Sequence, residues 1–358
     1  MGRPMFAQIK KHRIITGIVT LAVVQALFHL VGCAGRSLQN FEPSEKMASG
    51  VPEEILSKFT VQDLPLPMVE VSVSPSPVGL PIGAKPLKPK AAPRFVVVQA
   101  SPSPSPLVQP AVRIYENRRL PGRDPVLVGE KLVYDVTYLG IPAGELTIEV
   151  RGFKRVNGRK VYHFFGRGVS SDLFSVFYKA DDFMESFVDH EGLFSHRFHL
   201  KLDESKQKRD VVEVYDYDKM QGFYWSRWDH HKRGFIENKE VYPIGGLSQD
   251  SFSALFYPRF LDLEIEKQFV FPVQNEGKFW DLIGDVIRRE KLDTVLGEVD
   301  TIVVRPTTRF QGVIQQRSGE SFAWYTDDAF RYLVRMEAKV KIGTVVIKLN
   351  KLIPGAAE

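Results

Sequence analysis

Sixteen of the 23 prolines in this 358-residue chain lie between residues 34 and 125. No other feature limits the fold so sharply. Proline fixes φ, donates no amide hydrogen and interrupts both helices and central strands. Ser74-Pro75-Ser76-Pro77 and Ser101-Pro102-Ser103-Pro104-Ser105-Pro106 are low-complexity, and Lys85-Pro86-Leu87-Lys88-Pro89-Lys90 reads as a stiff charged spacer. Such composition buries too little apolar surface to offset chain entropy, so residues 34–124 are expected to form a disordered Pro-rich tether. In polyproline II, at ~3.1 Å per residue, it would reach at most about 280 Å. Two short exceptions stand out: Glu53–Val61 as one or two helical turns, and Phe95–Gln99 as an edge strand.

At the N-terminus, Lys10, Lys11 and Arg13 precede an apolar run from Ile14 to Val31, and Gly32 stands before Cys33, the only cysteine. A basic region, an apolar core and a small residue before cysteine resemble the lipobox of bacterial lipoproteins. Residues 1–33 are then a lipoprotein signal peptide, with Cys33 acylated as the first mature residue. The competing reading is a plain transmembrane helix. The run is at the short edge for a span and carries Gln25 and His29. Several acyl chains, at ~0.8 kcal/mol per buried methylene, would make the attachment practically permanent. Ala34 stands where inner-membrane retention usually wants Asp, which favours the outer membrane in a Gram-negative host, with the remainder facing the periplasm. Met1-Gly2 does not signal myristoylation, because Phe6 occupies the position that needs Ser or Thr. With Cys33 committed to lipid, no disulfide and no free thiol remain.

A net charge of +5 would suggest nucleic acid, but its distribution argues against that partner. Residues 1–33 carry +4, 34–84 carry −3, 85–123 carry +7 and 124–358 carry −3. The basicity belongs to the signal and the tether. A solvated spacer explains it better than a surface lying on anionic lipid or cell-wall polymer.

From about Pro125 prolines become sparse, and aromatic and β-branched residues alternate with polar ones. Lys131–Tyr138 and Glu145–Arg151 read as strands separated by a tight turn at Gly140-Ile141-Pro142-Ala143-Gly144. Asn157-Gly158 between apolar runs signals a type I′ hairpin. Strand candidates then recur at short intervals to Thr344–Leu352, a spacing that indicates antiparallel all-β structure. Only Asp172–Tyr178 and Asp250–Phe260 look helical here. The second has Gln249 and Asp250 as caps, with Phe252, Leu255 and Phe256 on one face. The expected fold is all-β: a strongly curved antiparallel sheet or open barrel over 125–354 with one short helix.

Several separated segments of this region, in order, resemble one known family. Gly129-Glu130-Lys131-Leu132-Val133-Tyr134-Asp135-Val136 and Tyr138-Leu139-Gly140-Ile141-Pro142-Ala143-Gly144 resemble the opening of domain-of-unknown-function family 3108. Asp250-Ser251-Phe252-Ser253-Ala254-Leu255-Phe256-Tyr257-Pro258-Arg259 is similar to its central helix motif. Trp324-Tyr325-Thr326-Asp327-Asp328 and Gly343-Thr344-Val345-Val346-Ile347-Lys348-Leu349 are similar to its closing hairpin. The departures are Tyr257-Pro258 after Phe256 and Arg331-Tyr332 where a proline is common. The resemblance implies an exported bacterial β-rich domain and carries over no catalytic residue.

The chemistry-bearing residues are few. Asp229-His230-His231 and His196 with His199 are the most metal-like groups, yet residues three apart on a strand face opposite ways, so surface loop histidines are the expectation, with no metal or other cofactor. Asp181-Asp182 and Asp327-Asp328 pair carboxylates as hydrolases do, but each sits where a strand meets a turn, where Asp satisfies local backbone donors. Ser170, Ser171, Ser251 and Ser253 lack a recognisable base. Aromatics are the remaining signal. Tyr134, Tyr138 and Trp280 are the candidate lining of a cup for an acyl chain or other apolar ligand, against the alternative that such rings only fill a core. The leading expectation is a non-enzymatic envelope lipoprotein that binds or chaperones an apolar or amphipathic component, a lipid or an outer-membrane protein. The alternatives are a scaffold docking a protein partner or cell wall, and, more remotely, an envelope hydrolase.

Overall fold

The computed structural model describes residues 53–64, 124–310, 313–315, 320–339 and 343–356. Cys33, the signal 1–33, the strand expected at Phe95–Gln99 and most of the tether lie outside the described residues. The strands are β1 (Gln62–Asp63), β2 (Lys131–Tyr138), β3 (Ile141–Val156), β4 (Arg159–Ser170), β5 (Asp181–Asp189), β6 (Ser195–Glu204), β7 (Gln207–Asp216) and β8 (Gln221–His230). They continue as β9 (Gly234–Pro243), β10 (Gln268–Asn275), β11 (Lys278–Thr294), β12 (Gly297–Phe310), β13 (Val313–Gln315), β14 (Ser321–Thr326), β15 (Leu333–Lys339) and β16 (Thr344–Ile353). The helices are α1 (Glu53–Lys58) and α2 (Asp172–Ser175).

All strands belong to one sheet, whose path runs from β10 through β12, β14, β16, β2 and β5 to β9 without closing on itself. Every named pair is antiparallel. Asn157 and Gly158, both at positive φ (51° and 73°), make the β3–β4 turn that their types require. The preceding turn differs from expectation. Leu139 and Gly140 hold the positive φ angles (53° and 78°), while Ile141–Gly144 already belong to β3. A register shift after Val136 absorbs Ala143, so Pro142 sits at a strand start, where its missing amide hydrogen costs little.

Residues 244–263 dip into the concave side of the sheet and fill it. Asp250 anchors this plug. Its carboxylate accepts the Ser186 and Ser195 hydroxyls at 2.7 and 2.6 Å, and the amides of Phe252 and Ser253, both at 2.8 Å. The helix expected over Asp250–Phe260 is instead two 3₁₀ turns, Ser253–Leu255 and Tyr257–Phe260. Pro258 has no amide hydrogen to extend an α-helical ladder, and the plug closes with i→i−3 bonds such as Phe256 N to Ser253 O. Phe252, Phe256 and Phe260 join the main core, and Phe256 stacks on Phe164 with centroids 3.8 Å apart. Arg259, in the second of these turns, forms a buried pair with Glu130.

The convex face carries its own smaller core. Ile55 and Phe59 from α1 and the following turn pack on Val156, Val161, Phe187 and Val214, and β1 pairs with the end of β3. Thus residues 53–64, although inside the Pro-rich stretch, are bound to the sheet.

Candidate functional site

Turns alternate between the two ends of an antiparallel meander. One end therefore gathers the β2–β3 turn, the β4–β5 connection containing α2, the β6–β7 turn and the β8–β9 turn. Backbone bonds stitch them together: Ser171 N to Ala143 O at 2.9 Å, Ser205 N to Lys179 O at 2.9 Å and His231 N to Lys206 O at 3.1 Å. This end holds the candidate site.

A cavity of about 40 Å³ opens there, walled by Val136, Ala143, Leu146, Val169, Phe174 and Met184, with Tyr178 and Asp182 at its polar side. Alternation decides which residues reach it, because Asp182 turns inward from β5 while Asp181 faces out and pairs with Arg167 at 2.8 Å. Burial pushes the Asp182 carboxyl up to about 8, helped by the nearby charge of Glu204. Burial likewise pushes Glu204 up to about 7, against hydrogen bonds from Tyr178 and Gln207. The Tyr178 hydroxyl donates to Glu204 Oε2 at 2.6 Å, and Trp228 Nε1 holds Gln207 Oε1 at 2.7 Å. Glu204 Oε1 is buried without a hydrogen-bond partner. The pocket thus joins an apolar wall to the buried Asp182 carboxyl, whose proton affinity burial raises, with Glu204 nearby. A protonated carboxyl can donate to a ligand's carbonyl or carboxylate oxygen.

Around the mouth lie large apolar side chains left in solvent: Leu139, Ile141, Leu173, and above all Val176 and Phe177 at 75% and 73% exposure. Val169 is both in the cavity wall and partly exposed, so wall and rim are continuous.

The aromatic residues expected to line a cup lie elsewhere. Tyr134 is fully buried in the main core with its hydroxyl on Leu333 O at 2.8 Å, and Tyr138 packs against the same core. Trp280 is also in that core, with Nε1 buried and without a partner. None of the three walls the cavity at the α2 end. Sequence reasoning missed the actual lining because Asp182, Tyr178 and Glu204 are joined by strand register. The exposed Leu173, Val176 and Phe177 beside short α2 were the one legible signal.

Most of the other candidates have structural partners, whereas the Ser251 hydroxyl is buried without one. His196 and His199 are not surface loop residues, since both lie in β6. His196 Nε2 meets Asp189 at 3.1 Å, and His199 Nε2 meets Asp210 at 2.8 Å. Glu185 takes His163 at 2.9 Å; burial opposes its charge, yet the His163 and His199 rings hold its carboxyl well below the usual range. Among the described residues no group of three or more His, Cys, Asp or Glu is arranged around a metal position. Asp328 caps its own turn, accepting Phe330 N and Arg331 N at 2.8 Å, as turn chemistry implies. Ser170 is tied to Ser175 and Ala180, and Ser171 caps α2.

The chain is similar in structure to a β-barrel-like protein of a domain of unknown function, DUF1849, from Brucella abortus, at 13% identity and a TM-score of 0.42, covering 63% of this chain and 98% of that one. A protein assigned as a lipoprotein from Parabacteroides distasonis aligns at 12% identity and a TM-score of 0.29, covering 63% and 95%. A protein assigned as exported, with a YmcC-like fold, from Bacteroides fragilis aligns at 9% identity and a TM-score of 0.28, covering 63% and 96%. No curated protein matches the sequence. The model of a family described as a protein of unknown function, DUF3108, matches residues 133–350, more than half of the chain. The chain belongs to the DUF3108 family.

Proposed function

We propose that this chain is a cell-envelope lipoprotein, anchored through Cys33, whose β-sheet domain binds an apolar or amphipathic ligand at the α2 end. The observation that carries the reading is the continuity of exposed apolar rim, apolar cavity wall and the buried Asp182 carboxyl. A cavity of about 40 Å³ admits the end of an acyl chain, and the rest would lie along Val169 and Phe177. The plug fills the concave side, which directs any ligand to this end.

Native mass spectrometry of the full chain extracted from envelopes in mild detergent tests the reading. Copurifying lipid, lost when Ala143→Met fills the cavity, is the expected result, and its clean absence from the unaltered chain overturns it. Palmitate labelling that disappears in Cys33→Ser tests the anchor separately. A scaffold that docks a protein partner through the same rim is the second reading, favoured by the filled interior, and a specific crosslinked partner at Phe177 with no bound lipid would establish it.

A further inference from the structure

We infer that the α2 end is a second membrane-docking face, which seats on the surface of an anionic bilayer. This goes beyond ligand binding and requires neither an occupied cavity nor lipid on Cys33. The apolar rim comes from two adjoining elements. Leu139 and Ile141 lie at the β2–β3 turn, and Leu173, Val176 and Phe177 in the β4–β5 connection. Neither Leu139–Pro142 nor Leu173–Tyr178 contains a charged residue. A protein-binding tip of this size would usually carry a polar rim, whereas uncharged loops suit the hydrocarbon margin.

Backbone satisfaction supports the same occupant. A loop enters a lipid margin only if its polar groups are paired internally. Ser175 N bonds Ser171 O at 2.7 Å, Tyr178 N bonds Phe174 O at 2.9 Å, Phe177 N bonds Phe174 O at 3.0 Å and Leu139 N bonds Thr344 O at 3.2 Å. The Ser171 hydroxyl covers Pro142 O at 3.0 Å and accepts Phe174 N at 3.3 Å. The tip therefore carries little unpaired backbone into an apolar phase.

Charge supplies the headgroup half. The neighbouring β6–β7 turn (Ser205-Lys206) and β8–β9 turn (His231–Arg233) place Lys206, Lys232 and Arg233 at the same end and contain no acid, although Asp203, Glu204 and Asp229 lie at the ends of the strands before them. Lys179 adds a fourth cation at the exit of the connection, set against Asp172 at its entry. Although residues 124–358 are net acidic, this end is locally basic beside an apolar wedge, the pairing that anionic lipid surfaces attract.

The test uses the full chain carrying Cys33→Ser and Val176→Cys, labelled with an environment-sensitive fluorophore and reconstituted through its own N-terminal segment. Vesicles of phosphatidylglycerol and phosphatidylethanolamine are compared with phosphatidylcholine. The label reads the tip itself, however the rest of the chain is held. A blue shift in anionic vesicles, absent for a label at Val295→Cys on the β11–β12 turn, is expected. Replacing the exposed pair as Lys232→Gln with Arg233→Gln should weaken docking about 30-fold, from the contribution of two surface cations. No shift at residue 176, an equal shift at residue 295, or an equal shift in phosphatidylcholine overturns the inference. Shielding of the probe by added envelope protein but not by vesicles overturns it in favour of a protein partner.

Discussion

Arg259 and Glu130, 129 residues apart in sequence, meet in a buried bidentate ion pair with contacts of 2.6 and 2.8 Å. The same guanidinium donates to Phe330 O at 2.8 Å and Pro125 O at 2.6 Å. This plug residue thereby fixes the start of the β domain and the β14–β15 turn. Removing one partner leaves an uncompensated buried charge, so Arg259→Met is expected to cost about 3–5 kcal/mol. Adding Glu130→Gln should recover part of that loss. Urea unfolding of the two variants checks both values, and equal destabilisation in single and double variants would contradict the pairing.

Asp182 and Glu204 give the cavity a pH signature. Their folded-state pKa values are raised, to about 8 and about 7, above those of the unfolded chain. The folded state then holds protons that the unfolded state has released, so their contribution is intact at low pH and is lost as pH rises from about 4 toward 8, by at most about 1.4 kcal/mol per pH unit for each group. Unfolding midpoints at pH 5, 6, 7 and 8 should fall less steeply in Asp182→Asn with Glu204→Gln than in the unaltered chain.

Residues 53–64 are held by few contacts, and Phe59 is chief among them at 1% exposure. Lys58 adds a contact to Asp216 at 2.9 Å, and Arg197 donates to Phe59 O at 3.0 Å. Phe59→Ala removes about 3–5 kcal/mol of burial, more than so short a segment can retain. Hydrogen exchange should show residues 53–64 losing protection while β5 and β6 keep theirs.

Gly144 accommodates a close approach of the neighbouring strand: a β-carbon there would stand 2.3 Å from the Val169 carbonyl oxygen. Backbone must move to admit Ala, at a cost of about 1–3 kcal/mol. A lowered melting temperature in Gly144→Ala, with a smaller effect for Gly140→Ala where the space is open but φ is positive, checks the distinction.

The fold was largely legible because alternation and turn chemistry are local. Lys131–Tyr138 is the strand its pattern spells, and Asn157-Gly158 is the hairpin turn its residues favour. The plug was half legible. Asp250 reads as a cap, but the two serines that saturate it lie 64 and 55 residues away and reach it only through the sheet. The site was least legible for the same reason. Tyr178, Asp182, Glu204 and Gln207 become one cluster through the pairing of β4, β5, β6 and β7, and no spacing in the sequence announces it. Tyr134 and Trp280 serve the packed interior, the alternative that ring-rich strands leave open from sequence alone.

Under the proposed anchor at Cys33, the docking of residues 53–64 at the β3–β4 end limits how far the β domain can stand from it. Only 19 residues, 34–52, separate Cys33 from Glu53, a distance of 20 backbone steps. Fully extended, they span no more than about 70 Å, at ~3.3–3.6 Å per residue. Because Asp63 pairs with Lys154 and Asp124 meets Tyr162, both within one sheet domain, the sequence between them, residues 64–123, does not add to that reach. Under that anchor, detaching residues 53–64 from the sheet would lengthen the permitted distance by the sequence from 53 to 123.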